Sequence, residues 1–221
     1  MSPETTTPVK TPFYKNPFLL AFLAGATALT ILPMMQYFVM RAPPPVASLG
    51  TWSLLDQDGQ PLTNESLRGQ VWIASFFFSR CPSICPAQQA DFEKILVHVD
   101  DLKSDSKKPI RLVSFSVDPE FDTPAVLQAY AAKRGRPKDL WTFATGVEAD
   151  LQELLVKRMM VHVGDRQPLP NQPELFDISH ASKFVLIDQN GDVRGYWDTD
   201  ETSRGNLINA ARLLWKRGPD V

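Results

Sequence analysis

Two cysteines hold most of the reactive chemistry available to this chain. Cys81 and Cys85 are the only cysteines among its 221 residues, and three residues separate them. An apolar, strand-like run precedes them and a helix-like run follows them. A helix N-terminus stabilises a thiolate, and residues four apart lie on one face of a helix. The pair can therefore close a disulfide or hold a soft metal ion.

Two structural interpretations compete with that chemistry. The cysteines could be buried thiols that pack like small apolar residues, or they could form a disulfide that staples the chain. A staple across so short a loop adds little stability, because the entropy gain falls with loop length. Pro82 and Pro86 each follow a cysteine directly, and Pro86 suits the first turn of a helix. We therefore favour a functional pair over a structural one.

The cysteines are expected at a junction between a strand and a helix. Residues 71–78 are continuously apolar and predict a buried strand, and residues 87–102 predict a helix. The pair Asn190-Gly191 between apolar runs predicts a β-hairpin. Further strands are predicted at 110–117, 140–144, 184–188 and 193–197, and further helices at 124–134, 148–160 and 203–216. This order predicts an α/β fold, a thioredoxin-like mixed sheet flanked by helices.

Two regions fall outside this alternation. The run Asp56-Gln57-Asp58-Gly59 predicts a turn between two short strands at the edge of the sheet. Residues 161–182 contain Pro168, Pro170 and Pro173, and we expect an exposed loop or hairpin there, close to the cysteines.

The N-terminal part of the chain predicts one transmembrane helix. Residues 16–40 carry no charged side chain, a length that spans a bilayer and tolerates a kink at Pro33. The alternatives are a buried core helix and a signal peptide cleaved near residues 46–48. Two basic residues, Lys10 and Lys15, precede the span, and one, Arg41, directly follows it. This excess of positive charge before the span favours a cytoplasmic N-terminus. A bacterial inner-membrane protein whose main domain faces the periplasm fits this pattern best.

These features divide the chain into four segments. We expect a disordered cytoplasmic tail at 1–15, a transmembrane anchor at 16–41, a proline-rich linker at 42–48 and a thioredoxin-like domain at 49–221. The prolines make the linker a semi-rigid spacer. The formal net charge of −2 argues against a nucleic-acid partner, and the sequence has no Walker A, GxGxxG or HExxH motif.

A third metal ligand would come from one of the three histidines. His98 lies inside the predicted first helix, and His162 follows a predicted helix end that it could cap. His180 lies at the loop before a predicted strand, where a thioredoxin-like fold brings a segment beside its dithiol. A lone histidine is more often structural, but two thiolates need a partner, and this favours His180.

The chain resembles the Sco/SenC copper chaperones of cytochrome c oxidase assembly. The resemblance rests on Cys81-Pro82-Ser83-Ile84-Cys85-Pro86, on residues 116–124 (SVDPEFDTP), on His180 before a strand, and on Asp188 and Gly191 in a turn. It covers roughly residues 46–216, and the N-terminal anchor agrees with it.

The resemblance implies a function and a set of ligands. Cys81, Cys85 and His180 would bind one copper ion, as Cu(I) or Cu(II), on a thioredoxin-like domain. The copper would be delivered to the dinuclear Cu-A centre of cytochrome c oxidase subunit II. Other implied partners are a periplasmic thiol reductant or another copper chaperone, and the lipid bilayer through residues 16–41.

This sequence departs from the family pattern at two positions. The family commonly has an acidic residue where this chain has Ser83, and another where it has Ser179. The first change removes a negative charge near the metal, and the second changes the neighbour of His180, whose orientation such neighbours tune. The three implied ligands are unchanged.

Other ligands and metals fit the sequence less well. Thiolates favour Cu(I), whereas structural zinc usually takes four protein ligands. Asp118 and Asp122 could support the site electrostatically, although a turn and a helix start are the simpler roles. Met159 and Met160 are soft donors, but a pair of methionines in a helix is more often core packing.

Three other functions compete with a metal-binding chaperone that is not an enzyme. A thiol-disulfide oxidoreductase acting on the Cu-A cysteines or on other periplasmic clients would use Cys81 and Cys85 as its redox pair and would not need His180. A peroxiredoxin would need proline and threonine or serine where this chain has Ala74 and Phe78. A purely structural anchor leaves the dithiol without a role.

Overall fold

The computed structural model describes residues 16–39, 42–81, 85–99, 102, 108–135, 138–169, 172–180 and 182–218. The chain divides into two compact units, Met1–Arg41 and Ala42–Val221, which are considered separately below.

The first unit contains one long apolar helix, α1, at Pro17–Val39. Its residues Pro17–Met35 are long and apolar enough to cross a membrane. Nineteen residues rise about 28 Å as a helix, close to the thickness of a bilayer core. The hydroxyls of Thr27 and Thr30 donate to carbonyls one turn earlier, at 2.9 and 3.0 Å, so that the polar groups are satisfied within the helix.

The second unit alternates strands and helices over most of its length. Its strands are β1 (Ala47–Ser48), β2 (Ser53–Asp56), β3 (Pro61–Thr63), β4 (Trp72–Phe77), β5 (Arg111–Ser116), β6 (Trp141–Thr145), β7 (Val163–Leu169), β8 (Gln172–His180), β9 (Lys183–Ile187) and β10 (Asp192–Asp198). Its helices are α2 (Asn64–Leu67), α3 (Cys85–Val99), α4 (Pro124–Arg134), α5 (Glu148–Gln152) and α6 (Glu201–Arg217).

Eight of these strands form one mixed sheet, in the order β1-β10-β9-β4-β5-β6-β2-β3. Strands β4, β5 and β6 are parallel, and the flanking strands are antiparallel to their neighbours. Every residue of β4 and of β6 is buried, as expected of parallel strands covered on both faces. The mixed α/β fold predicted from the sequence is confirmed.

The core is rich in aromatic side chains that join α3 to the sheet. Phe92 of α3 stacks on Phe184 of β9, with ring centroids 5.2 Å apart, and meets Trp141 of β6 edge-on at 5.7 Å. Helix α3 also lies beside α6, where Arg204 pairs with Asp91 at 3.1 Å. The helix that begins at Cys85 is thus fixed along its length.

A buried hydroxyl network adds a polar connection between α3 and the sheet. The Ser114 hydroxyl lies 2.7 Å from the Ser75 hydroxyl, and the Trp141 indole N–H donates to it at 3.0 Å. Ser114 also lies 3.3 Å from the Gln89 side-chain oxygen, to which it donates. Gln89 is one turn beyond Cys85, so this network holds the first part of α3 against β5.

The segment predicted as a proline-rich linker, 42–48, packs against the end of the sheet. Ala47 and Ser48 pair with Val193 and Asp192 of β10. The Pro43 carbonyl accepts a hydrogen bond of 2.9 Å from Arg194, whose guanidinium is buried and also pairs with Asp188 at 2.6 Å. Proline composition could not reveal this contact, because the partner lies far away in the sequence.

One further region differs from the sequence prediction, and another makes it more specific. The helix expected at 148–160 is α5 followed by a π-helical turn, Glu153–Arg158, and Met160 then has a φ of 51°. The segment predicted as a loop or hairpin contains a hairpin, in which β7 and β8 form a separate two-stranded sheet.

We predict that Ser114→Ala destabilises the domain by about 2–3 kcal/mol, because it leaves the buried Trp141 N–H without its acceptor. The exposed Ser53 of β2 provides the matched control, and Ser53→Ala should cost less than about 0.5 kcal/mol. Chemical denaturation followed by circular dichroism measures both. Equal stability of the two variants would contradict a structural role for the network.

Candidate metal centre

Cys81 lies just beyond the carboxyl end of β4, in the middle of the sheet. Its backbone N–H donates to the Phe78 carbonyl at 3.2 Å, which closes a turn directly after the strand. Only 8% of the residue is exposed, and it joins the apolar core. The first cysteine is therefore held at the edge of the core by the burial of β4.

Cys85 is the first residue of α3, a helix of 15 residues. The structure describes the backbone of Cys85 and not its side chain, and Pro82, Ser83 and Ile84 lie outside the described residues. The backbone confirms the predicted junction, in which the two cysteines separate a buried strand from a helix. The backbone of Cys85 thus lies at the N-terminal, positive end of the dipole of α3.

His180 is the last residue of β8, whereas the sequence predicted a loop at this position. The difference arises because residues 172–180 pair with β7, where Val163 lies opposite His180. The structure describes the backbones of Ser179 and His180 but not their side chains.

A cavity of about 490 Å³ lies between this hairpin and the loop after β5, which leaves the sheet beside the cysteine turn. It is lined by Val163 of β7 and Ile178 of β8 on one side and by Val117 and Asp118 on the other. Val117 follows β5 and donates its N–H to the Phe77 carbonyl at 2.9 Å, next to the turn that carries Cys81. The end of β8 therefore adjoins the same edge of the sheet as the cysteines.

The described side chains do not themselves form a complete metal site. Among them, no group of three or more His, Cys, Asp or Glu residues could hold a metal ion. Two of the three predicted ligands, Cys85 and His180, fall outside that set, so the ligand assignment stays a prediction.

Asp122 ties the turn before Cys81 to the loop after β5. Its buried carboxylate accepts hydrogen bonds from the backbone N–H of Ser79 at 3.0 Å, from the Ser79 hydroxyl, and from the Ser116 hydroxyl at 2.6 Å. Burial raises the pKa of Asp122 above its ordinary value, although the serine hydrogen bonds oppose that shift. Thr123, and not Asp122, is the residue that caps α4.

Asp118 is a second buried carboxylate at this edge, and two arginines pair with it. Arg80, the neighbour of Cys81, approaches one oxygen at 2.8 Å, and Arg166 of β7 pairs with the other. The Arg80 guanidinium also lies 3.7 Å from the centre of the Phe121 ring, a cation–π contact. Asp118 thus connects the cysteine turn to the hairpin that ends at His180.

The comparison with known proteins decides the family. The SCO1/SenC family model matches residues 41–215. This chain belongs to the SCO1/SenC family. It is 34% identical to the SCO1 protein homolog of Bacillus subtilis (strain 168) over 160 residues, which cover 70% of this chain and 76% of that protein.

Solved SCO1/SenC structures share the fold. One is BsSco, a member of the Sco family of cytochrome c oxidase assembly proteins in which a disulfide switch was identified. It has a TM-score of 0.63 and 27% identity, over 79% of this chain and 97% of that one. Bradyrhizobium japonicum ScoI with copper bound has a TM-score of 0.61 over 76% of this chain and all of that one, and at 21% identity it supports the fold alone.

The remaining sequence candidates lie in ordinary structural environments. His98 is exposed in the last turn of α3, and its ring nitrogen lies 2.8 Å from the Lys94 carbonyl. His162 is exposed just before β7. Met159 is buried in the core, as a packing role predicts, whereas Met160 is 53% exposed.

Two residues of this region escaped the sequence analysis. Arg80 stands next to Cys81, and that position alone was a signal that it lies near the site. Arg166 gave no comparable signal, because its proximity to Asp118 follows from the placement of the hairpin.

We predict a pH-dependent stability difference between the parent chain and Asp122→Asn. The pKa of Asp122 is higher in the folded chain than its ordinary value of 3.8, so the folded state retains this proton more strongly than the unfolded state. The stability of the parent relative to the variant should therefore fall as the pH rises above 3.8, and level off above the folded pKa. Denaturation of both proteins at a series of pH values measures this difference. A difference that grows with pH would contradict the raised pKa.

Proposed function

We propose that this chain is a membrane-anchored copper chaperone that binds one copper ion through Cys81, Cys85 and His180 and delivers it to the Cu-A centre of cytochrome c oxidase subunit II. The observation that supports this most directly is the placement of both cysteines at one strand-to-helix junction, with the end of β8 at the same edge of the sheet. The oxidase-assembly family of BsSco agrees with it.

The donor set suits copper as cargo. Two thiolates and one imidazole match the preference of Cu(I) for soft, three-coordinate sites. Binding requires both thiols to lose their protons, and the N-terminus of α3 favours the thiolate of Cys85. Oxidation of Cys81 and Cys85 to a disulfide would remove two of the three ligands and release the ion.

The proposed topology follows from the two units. Helix α1 would anchor the protein in a bacterial inner membrane as segment 16–41, with the tail at 1–15 in the cytoplasm. The linker 42–48 and the domain at 49–221 would then face the periplasm. There the domain would meet a thiol reductant or another copper chaperone, which reduces or loads the site before delivery.

We predict that the reduced full-length chain in detergent binds one Cu(I) tightly and that His180→Ala weakens this binding at least about tenfold, since one lost ligand of three costs more than about 1.4 kcal/mol. His98→Ala is the matched control, because His98 is exposed in the last turn of α3 and should leave the affinity unchanged. Competition against a colorimetric Cu(I) chelator gives both values. Affinity that is indifferent to His180 would remove it from the ligand set.

A second candidate function is thiol-disulfide exchange, which the disulfide switch of BsSco favours. In that role one of the two cysteines, Cys81 or Cys85, would attack a client disulfide and form a mixed disulfide with it. The other cysteine would then resolve the mixed disulfide, which leaves the client reduced and the pair Cys81–Cys85 oxidised. The chain would then act on the Cu-A ligand cysteines or on other periplasmic clients. In a metallochaperone this exchange would be an accessory activity, and the chain would not be an enzyme in the usual sense.

The two functions differ in their need for His180. If exchange is the main role, reduction of an oxidised peptide with the two Cu-A cysteines should survive His180→Ala and stop in Cys81→Ser and in Cys85→Ser. If copper delivery is the main role, copper transfer to the reduced peptide should fail in all three variants. Thiol titration follows the first reaction, and absorbance of the loaded peptide follows the second.

A further inference from the structure

We propose that Arg166 is a positioning residue for the metal site: its ion pair with Asp118 holds the β7–β8 hairpin, and with it His180, in register with Cys81. This inference rests on the proposed copper function. It adds a residue that the sequence did not single out and that lies 14 positions before His180.

The first support is the environment of Asp118. Its side chain is fully buried, and its backbone N–H donates to the Ser116 hydroxyl at 3.0 Å, so the carboxylate stands in one fixed place after β5. A buried carboxylate is unfavourable unless its charge is compensated. Two guanidinium groups compensate it here, one on each oxygen.

The second support is that the two arginines come from different parts of the fold. Arg80 belongs to the turn after β4 and precedes Cys81 directly. Arg166 belongs to β7, where it lies opposite Ile178, two residues before His180. One carboxylate therefore connects the segment of a predicted thiolate ligand with the segment of the predicted imidazole ligand.

The third support is the way in which the hairpin is attached. Strands β7 and β8 form their own two-stranded sheet, so the register of the eight-stranded sheet does not fix their position. Ile178 anchors the hairpin by burial, with 5% of its surface exposed, and Val163 packs against the same core. Apolar packing resists separation but tolerates sliding, whereas the pairing of Arg166 with Asp118, and with Glu120 at 3.4 Å, sets a position.

Geometry explains why this position matters for copper. A three-coordinate site gains from its third ligand only if the imidazole reaches the ion that the two thiolates already hold. The cysteines are fixed by β4 and α3, so the placement of His180 depends on the hairpin. Loss of the Arg166 contact should therefore act on copper through His180 and not through the thiolates.

The test is a double-mutant cycle between Arg166 and His180 in the reduced full-length chain. Cu(I) affinity is measured for the parent, Arg166→Met, His180→Ala and the double variant. Methionine keeps an apolar stem of similar length and removes the guanidinium. We expect Arg166→Met to weaken Cu(I) binding about tenfold when His180 is present and less than about twofold when it is absent, a coupling of about 1 kcal/mol.

A matched control separates position from charge. Arg68→Met also removes one positive charge. Arg68 directly follows α2 and forms an exposed ion pair with Glu65 of that helix. Arg68→Met should leave Cu(I) affinity unchanged in both backgrounds. If Arg166→Met acted only by removing a charge near the copper, it would weaken binding equally with and without His180, and that result would overturn the proposal.

A second readout needs no metal. Hydrogen exchange of the metal-free reduced chain should show faster exchange at the amides of β7 and β8 in Arg166→Met than in the parent or in Arg68→Met. Unchanged exchange would overturn the holding role. If Arg166→Met does not fold, Arg166→Lys carries the same cycle, because it keeps the charge and loses the forked geometry.

Failure of this inference is distinguishable from failure of the copper function. If His180→Ala weakens binding and Arg166→Met does not, the copper site stands and the positioning role is wrong. If His180→Ala has no effect in the parent chain, the three-ligand site is wrong, and the role of Arg166 in placing a ligand falls with it.

Discussion

The candidate site depends on two buried carboxylates at the carboxyl end of β5. A carboxylate removed from water needs compensating donors, and the chain supplies them from segments that are distant in sequence. Asp122 takes its hydrogen bonds from Ser79 and Ser116, and Asp118 takes its ion pairs from Arg80 and Arg166. The need to satisfy these charges therefore draws the cysteine turn, the end of β5 and the hairpin together.

The sheet gives these carboxylates a rigid base. Strands β4 and β5 run parallel and in register, so that Phe77 lies beside Ser116 and the two following loops leave the sheet at the same edge. The cysteines therefore lie at the ends of β4, whose residues are all buried, and of α3, which packs on the sheet, whereas the predicted histidine ligand lies on a separate hairpin. In the proposed site, the placement of the third ligand would therefore depend on contacts outside the main sheet, such as the pair Arg166–Asp118.

The sequence predicted those parts of the fold that depend on local or periodic signals. The apolar run of β4 predicted a buried strand, and Asn190-Gly191 predicted the hairpin turn, where Gly191 has a φ of 86°. The helix predicted at 124–134 is α4, which begins at Pro124 and is capped by Thr123. Each of these signals lies within a few residues of the structure it specifies.

The contacts that escaped prediction depend on residues far apart in sequence. The Arg166–Asp118 pair spans 48 positions, and the Arg194–Pro43 hydrogen bond spans 151. The π-helical turn after α5 also escaped prediction, because residues 148–160 have the composition of an ordinary helix.

Ser83 and Ser179, which stand where the family commonly has acidic residues, change the charge carried by the segments of the predicted ligands. Cu(I) held by two thiolates has a net charge of −1, so an acidic residue beside it adds repulsion unless a cation compensates. Ser83 and Ser179 remove two such carboxylates from the chain, and Arg80 places a cation next to Cys81 that Asp118 already compensates. Arg80 and Arg166 are thus both paired with Asp118 in the metal-free chain. In the proposed site, the N-terminus of α3 would stabilise the thiolate of Cys85. The ion pairs of Asp118 would act chiefly by placing the segments that carry the proposed ligands.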